Sequence, residues 1–276
     1  MALTLDQLKA KGLELRKHVI RMTTAAGSGH PSSSLSAVEV VNALFFGGFM
    51  KYDPKNPQMK ERDRFILSKG HACPILYAAM AEAGYFSTEL LLTLRKLGSV
   101  LEGHPNLVRL PGIEASTGSL GQGLSIGLGQ AFACKLDKLP SRVFVMMGDG
   151  EIGEGQVWEA AASAAKYKMG NLTAIVDQNG FQQTGATKDV LDMTPIAEKF
   201  AAFGWKTQTI QGNDQAEVVE ALKKAVAITD GPSVIVSQTR KGYGILPLLE
   251  REGDPNYHGK PLSPKLAEEA LAFLAK

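Results

Sequence analysis

Residues 142–180 read RVFVMMGDGEIGEGQVWEAAASAAKYKMGNLTAIVDQNG, and this stretch decides the fold. Arg142 to Met147 is an apolar run too short for a helix, ended by a glycine turn; it reads as a buried strand. A helical pattern follows from about Gln156 to Met169, and a second buried strand runs from Leu172 to Asp177. Strand, helix and strand of these lengths form a right-handed unit with parallel strands. The pattern continues as helix Pro195–Phe203, strand Trp205–Ile210, helix Gln215–Ile228 and strand Ser233–Gln238. Upstream come helix Leu5–Ala26, a turn at Gly27–Gly29, helix Leu35–Phe46, a loop rich in proline and charge, strand Arg64–Ser68, helix Pro74–Gly84 and a helical pattern over Ser87–Leu97. A last helix is predicted over Pro264–Lys276. The alternation predicts an α/β fold, a doubly wound, mostly parallel sheet with helices on both faces. No boundary precedes the tail from Lys241, so residues 1–276 read as one domain. Ligands of such sheets bind at the carboxyl ends of the strands, where Gly148-Asp149-Gly150, Asp177-Gln178-Asn179 and Thr239-Arg240-Lys241 fall.

Composition narrows the function. Thirty basic and 28 acidic residues give a net charge of +2, which offers no basic field for nucleic acid. The longest apolar run, Ala37 to Met50, carries Glu39 and two glycines and is too short for a membrane span. The amino-terminal helix is charged and amphipathic, without a signal-peptide core. Cys73 and Cys134 have neither disulfide-framework nor metal-knuckle spacing and read as buried thiols in a reducing compartment. The expectation is a soluble cytoplasmic protein. Glycine is in excess, 29 of 276 residues, and clusters beside ionisable groups, as where backbone must approach a ligand.

Gly148-Asp-Gly150-Glu-Ile-Gly153 fits G-x-G-x-x-G, with Asp177 placed 24 residues beyond Gly153, where a dinucleotide enzyme keeps its ribose-binding acid. A pyrophosphate docked there would meet Asp149, Glu151 and Glu154. A carboxylate beside a diphosphate makes sense when a divalent cation bridges them; Asp149 and the amide oxygen of Asn179 could each ligate Mg²⁺. Metal-diphosphate is the favoured reading, and the dinucleotide reading stays open. Four of the five histidines adjoin glycine: His30, His71, His104 and His258. They lack zinc spacing, so a shared polar pocket for proton transfer and hydroxyl recognition is expected. His18, on the first helix, reads as a surface or packing residue. Five glycines in residues 118–129 begin as a loop and run into a helix with a small-residue face, which serves close packing and brings loop backbone toward a cofactor.

The order GSGHPSS, DRFILSKGHACPILYA, EGHP, STGSLGQGLS, MGDGEIGEG and DQNG resembles the amino-terminal part of transketolases, from about Leu5 to Leu262. GDG, 28 intervening residues and Asn179 is similar to the thiamine-diphosphate fingerprint. The resemblance implies thiamine diphosphate with Mg²⁺ (or Ca²⁺ or Mn²⁺) as cofactors, and Asp149, Asn179 and the carbonyl of Phe181 as metal ligands. Gly150 and His71 match diphosphate contacts; Ser33, Gly118, Ser119 and Leu120 match positions touching the cofactor, and Lys241 and Lys260 match lysines near the diphosphate. His30, His104 and His258 match histidines that handle sugar hydroxyls and protons. Glu154 resembles a member of a carboxylate network linking paired sites, and Glu159 a neighbouring interface glutamate.

Transketolases continue through a pyrimidine-binding and a carboxyl-terminal domain, and the glutamate that protonates the aminopyrimidine belongs to the former. The resemblance therefore implies half an active site, completed by a second chain in an α₂β₂ assembly, with sugar phosphates as substrates and the single chain inactive. The implied reaction moves a two-carbon ketol unit from a ketose phosphate to an aldose phosphate. Within the cofactor class the alternatives are a 2-oxo acid dehydrogenase α-type chain and a deoxyxylulose-phosphate-synthase-like subunit, which SKGHACP and EGHP disfavour; outside it stand an NAD-dependent dehydrogenase and a catalytically silent scaffold.

Overall fold

Five parallel strands make one sheet in the order β1-β2-β3-β7-β6 in the computed structural model, which describes residues 2–254 and 256–275. They are β1 (Arg64–Leu67), β2 (Val143–Gly148), β3 (Leu172–Gln178), β6 (Lys206–Gln211) and β7 (Ser233–Gln238). β2 and β3 are buried along almost their whole length, because helices cover both faces and each apolar side chain of VFVMM and LTAIV meets a core. Val143, Val145, Met147, Ala174 and Val176 enter one core, and Phe144, Met146 and Ile175 the other. The polar KTQTIQ of β6 suits its place at the sheet edge.

The chain adds β1, β2 and β3 side by side, then crosses to the far edge for β6 and returns with β7 beside β3. The register aligns Gly148 with Asp177 and Asp177 with Ser237, so the predicted polar clusters share one end of the sheet.

Helix α1 (Leu5–Ala26) has the predicted bounds: Thr4 and Gln7 form a capping box, and Gly27 closes the helix in the left-handed conformation. The helix expected from Leu35 to Phe46 is divided into α2 (Pro31–Leu35) and α3 (Val38–Phe46), since Pro31 starts a helix one turn earlier and the backbone turns at Ser36-Ala37. α4 (Cys73–Glu82) follows β1. Ser87–Leu97 is not an α-helix; it holds a 3₁₀ helix over Thr88–Thr93 whose one buried residue is Leu91, too little apolar surface to hold a longer element. α5 (Gln122–Leu136) and α6 (Gly155–Lys166) flank β2. The polar loop after β3 contains a hairpin of β4 (Phe181–Gln182) and β5 (Gly185–Ala186) and the short α7 (Thr187–Val190). α8 (Ile196–Ala202) and α9 (Gln215–Ala227) complete the crossovers. Beyond Lys241 the chain forms α10 (Leu246–Arg251), unanticipated, and α11 (Pro264–Phe273), which buries Leu266, Ala267 and Ala270 against the core that α1 shares. Lys276, the predicted end of that helix, lies outside the described residues. Among them no helix is long and apolar enough to cross a membrane.

The small face of α5 lies on β2. A Cβ on Gly127 would fall 2.4 Å from Val145 Cγ2, whereas one on Gly129 meets nothing within 4 Å. Gly127→Val should therefore cost about 1–3 kcal/mol through overpacking, and Gly129→Ala should raise stability by about 0.5–1 kcal/mol. Urea unfolding of both variants checks the pair; equal effects would contradict the packing described.

Candidate active site

Lys69, one residue past the Ser68 that follows β1, and Asp177 of β3 form an ion pair exposed by 1% and 0%. Asp177 also accepts hydrogen bonds from Ser36 Oγ (2.7 Å), Asn179 Nδ2 (3.0 Å) and Thr239 Oγ1 (2.5 Å). Burial opposes ionisation of Asp177, but the Lys69 ammonium and the hydrogen bonds from Lys69, Thr239 and Asn179 together outweigh it and hold the carboxyl below its usual range. Lys69 Nζ donates in addition to the Ser33 carbonyl at 2.9 Å. Asp177 is thus spent on internal bonds and is not free to grip a ribose, which removes the support for a dinucleotide site. Glu151 likewise departs from expectation. It is buried rather than standing at the helix entrance, and accepts from the amides of Gly148 (3.0 Å) and Gly121 (2.9 Å) and from the Ser68 hydroxyl. Burial pushes its carboxyl up despite those donors. It ties the GDG turn to the glycine loop.

Asp149 is 4% exposed and accepts from the amides of Gly180 (2.7 Å) and Gly150 (3.0 Å), without a cationic side chain bonded to it among the described residues. Burial, then the charge of Asp177, pushes its carboxyl up to about 7. A buried carboxylate short of positive charge is what a divalent cation relieves. Asn179 turns its Nδ2 to Asp177, and its Oδ1 accepts from the Phe181 amide at 3.0 Å. That leaves the amide oxygen a second lone pair. No group of three or more His, Cys, Asp or Glu side chains that could hold a metal occurs among the described residues. A set of one carboxylate, one amide oxygen and one main-chain oxygen fits Mg²⁺ only if phosphate oxygens complete the octahedron.

Beside this set stand the histidines. The rings of His30, His71 and His258 lie 4.9–5.4 Å apart, centroid to centroid. His104 lies against Gly118, where a Cβ would come within 3.0 Å of its Cδ2; with φ +142° at Gly118, a glycine is required on both counts. Burial, and then the charges of His258, Arg95, His104 and Lys241, push His30 down to about 3. Burial and Lys241 push His258 down to about 4. Burial and Lys69 take His71 well below the usual imidazole range. Lys241 Nζ lies 2.9 Å from His258 Nδ1 and bonds to the Asn256 amide oxygen; burial brings its own pKa down to about 8.

Ser33 Oγ, His30 Nδ1 and Gln182 Nε2 are among the buried polar atoms that have no partner within the described residues. Gln182 packs on Gly150, where a Cβ would meet its own at 2.6 Å. A polar ligand lying among these elements would satisfy such atoms. Ser119 and Leu120 are exposed beside Gly118. Lys260 stands apart: it is on the surface, paired with Asp254 at 2.6 Å. Glu154 and Glu159 are exposed, at the cap and on the body of α6. His18, read as a surface or packing residue, is half-buried and bonds Glu82 at 2.8 Å. The residues missed by sequence reasoning are Lys69, Asn256 and Gln182. Of these, only Lys69 carried a signal, standing between a strand and a glycine-histidine pair.

A doubly wound sheet with a lone carboxylate, an asparagine and an imidazole cluster at its carboxyl edge defines a thiamine-diphosphate-binding fold. The family described as "Transketolase, thiamine diphosphate binding domain" matches residues 13–272, and the chain belongs to it. Bovine "Transketolase-like protein 2" is 43% identical over 276 residues, 99% of this chain and 43% of that protein. "6-deoxy-6-sulfo-D-fructose transketolase subunit SqwG" of Clostridium sp. (strain MSTE9) is 42% identical over 95% of this chain and 94% of its own length. The transketolase structure from Campylobacter jejuni superposes with a TM-score of 0.89 at 30% identity, over 98% of this chain and 43% of that one. The chain thus spans less than half of the bovine and Campylobacter proteins and nearly all of the clostridial subunit.

Breaking the central pair by Lys69→Met should cost about 3–5 kcal/mol, because Asp177 is left charged and buried. Adding Asp177→Asn should recover about 0.5–3 kcal/mol of that loss by removing the orphaned charge. A double-mutant cycle from urea unfolding reads both terms; additive losses would contradict the pairing.

Proposed function

We propose that this chain is the diphosphate-binding half of a transketolase-type enzyme. It transfers a two-carbon ketol unit from a ketose phosphate to an aldose phosphate when joined to a second chain carrying the pyrimidine-binding and carboxyl-terminal domains. The observation that carries the reading is the packing of His30, His71 and His258 within 5.4 Å of one another, with Lys241, bonded to His258, also in the field of Asp149. The clostridial relative, covered over 94% of its length, is itself named as a subunit, which supports a two-chain design. We assign the assembly as α₂β₂, the compartment as the cytoplasm and the metabolism as that of pentose phosphates.

Asp149, Asn179 and the Phe181 carbonyl would hold Mg²⁺, or Ca²⁺ or Mn²⁺, leaving coordination places for the diphosphate. Gly150, His71, Ser33 and Lys241 would contact that diphosphate, while Gly118, Ser119 and Leu120 line its approach. Lys260 would join only by leaving Asp254. When bound, thiamine diphosphate supplies the carbon nucleophile that takes up the two-carbon unit. His30 and His258 are neutral at pH 7; a neutral imidazole offers one donor and one acceptor nitrogen, and in His258 the acceptor is already taken, so His258 donates to a sugar hydroxyl while His30 can do either. The Lys241 ammonium donates to His258 Nδ1, which leaves the proton of that imidazole on Nε2. His104 stands at the exposed rim, suited to the incoming sugar. Glu154 and Glu159 would face carboxylates across an interface between paired sites.

The assembly purified through this chain from its own cells should weigh two copies of it plus two of a second chain by native mass spectrometry. It should convert ketose and aldose phosphates, and the chain alone should not. His30→Ala in that assembly should lower kcat by about 10²–10⁴. A homo-oligomer with full ketol transfer, or one that carries NAD, would refute the reading.

A further inference from the structure

Arg95 occupies an unusual place in the turn that follows the 3₁₀ helix. Its backbone lies at φ +57°, a region that L side chains enter only when their surroundings over-determine them. Its amide donates to the Leu101 carbonyl at 2.8 Å, which fixes the turn. Its guanidinium then reaches two separate loops. One terminal nitrogen donates to Ser28 Oγ at 3.0 Å and the other to the Gly103 carbonyl at 3.2 Å. Ser28 sits between Gly27 and Gly29, both in positive φ, two residues before His30; Gly103 immediately precedes His104. A Cβ at Gly103 would fall 2.8 Å from Arg95 Cζ, so the loop is shaped to the guanidinium plane.

We propose that Arg95 is a positioning residue: one guanidinium clasps the loop leading to His30 to the loop carrying His104, and holds both imidazoles toward one cavity. The His30 carbonyl accepts from the amide and hydroxyl of Ser34, at 3.2 and 2.9 Å, while the Ser28 side chain in the glycine turn before it is held by Arg95. The carboxyl side of the second loop is anchored independently, since the Tyr77 hydroxyl donates to the carbonyls of His104 (3.0 Å) and Glu102 (3.1 Å). The clasp also brings a permanent positive charge. His30 faces His71, His104, His258, Lys241 and Arg95, while His104 faces Arg95 and the Gly118 backbone. Burial leads, and Arg95 adds to it, in lowering the pKa of both imidazoles.

The inference rests on the reading of these histidines as sugar- and proton-handling groups, and two variants test it. Arg95→Lys keeps the charge but cannot span both acceptors with one planar fork; in the assembled enzyme it should lower kcat by about 10²-fold. Arg95→Met removes the charge. In the whole chain with ¹⁵N-labelled histidine, it should move the NMR titrations of His30 and His104 to higher pH than in the unsubstituted chain. Wild-type kcat in R95K, or titrations of His30 and His104 in R95M that coincide with those of the unsubstituted chain, would overturn the clasp. If the wild-type assembly transfers no ketol unit, the functional reading fails, and the titrations alone decide the clasp.

Discussion

The buried Lys69–Asp177 pair is the interaction on which the site depends. It joins the carboxyl ends of β1 and β3, draws in Ser36 from the end of α2 and Thr239 from the end of β7, and leaves little of either charge in solvent. Two ions removed from water are costly unless each is fully bonded, and here Asp177 accepts four hydrogen bonds. With Asp177 bonded in this way, Asp149 is left as the buried carboxylate beside it with only amide donors. One strand end provides a closed, internally neutralised support, and its neighbour provides a buried carboxyl with no cationic side chain bonded to it among the described residues.

The same division shapes the rest of the cavity. Glu151 is enclosed by amides and the Ser68 hydroxyl, so it organises the glycine turn. Lys241 is enclosed by Asn256 and His258, so its charge acts on the imidazoles. Three cations, Lys69, Lys241 and Arg95, surround the histidine cluster and, together with burial, favour neutral rings. Neutral imidazoles with orphaned polar atoms nearby make a site organised for a polar, anionic ligand before it arrives.

Much of the fold was legible in the chain. α1 could be bounded at both ends because Thr4, Gln7 and Gly27 are local signals with local partners. β2 and β3 could be recognised because strands covered on both faces are apolar throughout. The break between α2 and α3, the 3₁₀ helix and the hairpin Phe181–Ala186 were not, since each depends on what the segment packs against. In the site, histidine-glycine pairs and GDG announced themselves as residue types in a pattern. Glu151 could not be told from a free carboxylate, because its donors come from residues 68 and 121, far along the chain. Lys260 shows the converse: its motif position is plain in the chain, while its pairing with Asp254 at the surface is not.

Asp149 and Asn179, as proposed, bind the cofactor through a divalent ion, and calorimetric titration of the chain with thiamine diphosphate measures this. Binding should occur in Mg²⁺, be lost in EDTA, and be lost in Asp149→Asn even with Mg²⁺ present. Equal affinity in Mg²⁺ and in EDTA, or an unaffected Asp149→Asn, would contradict it.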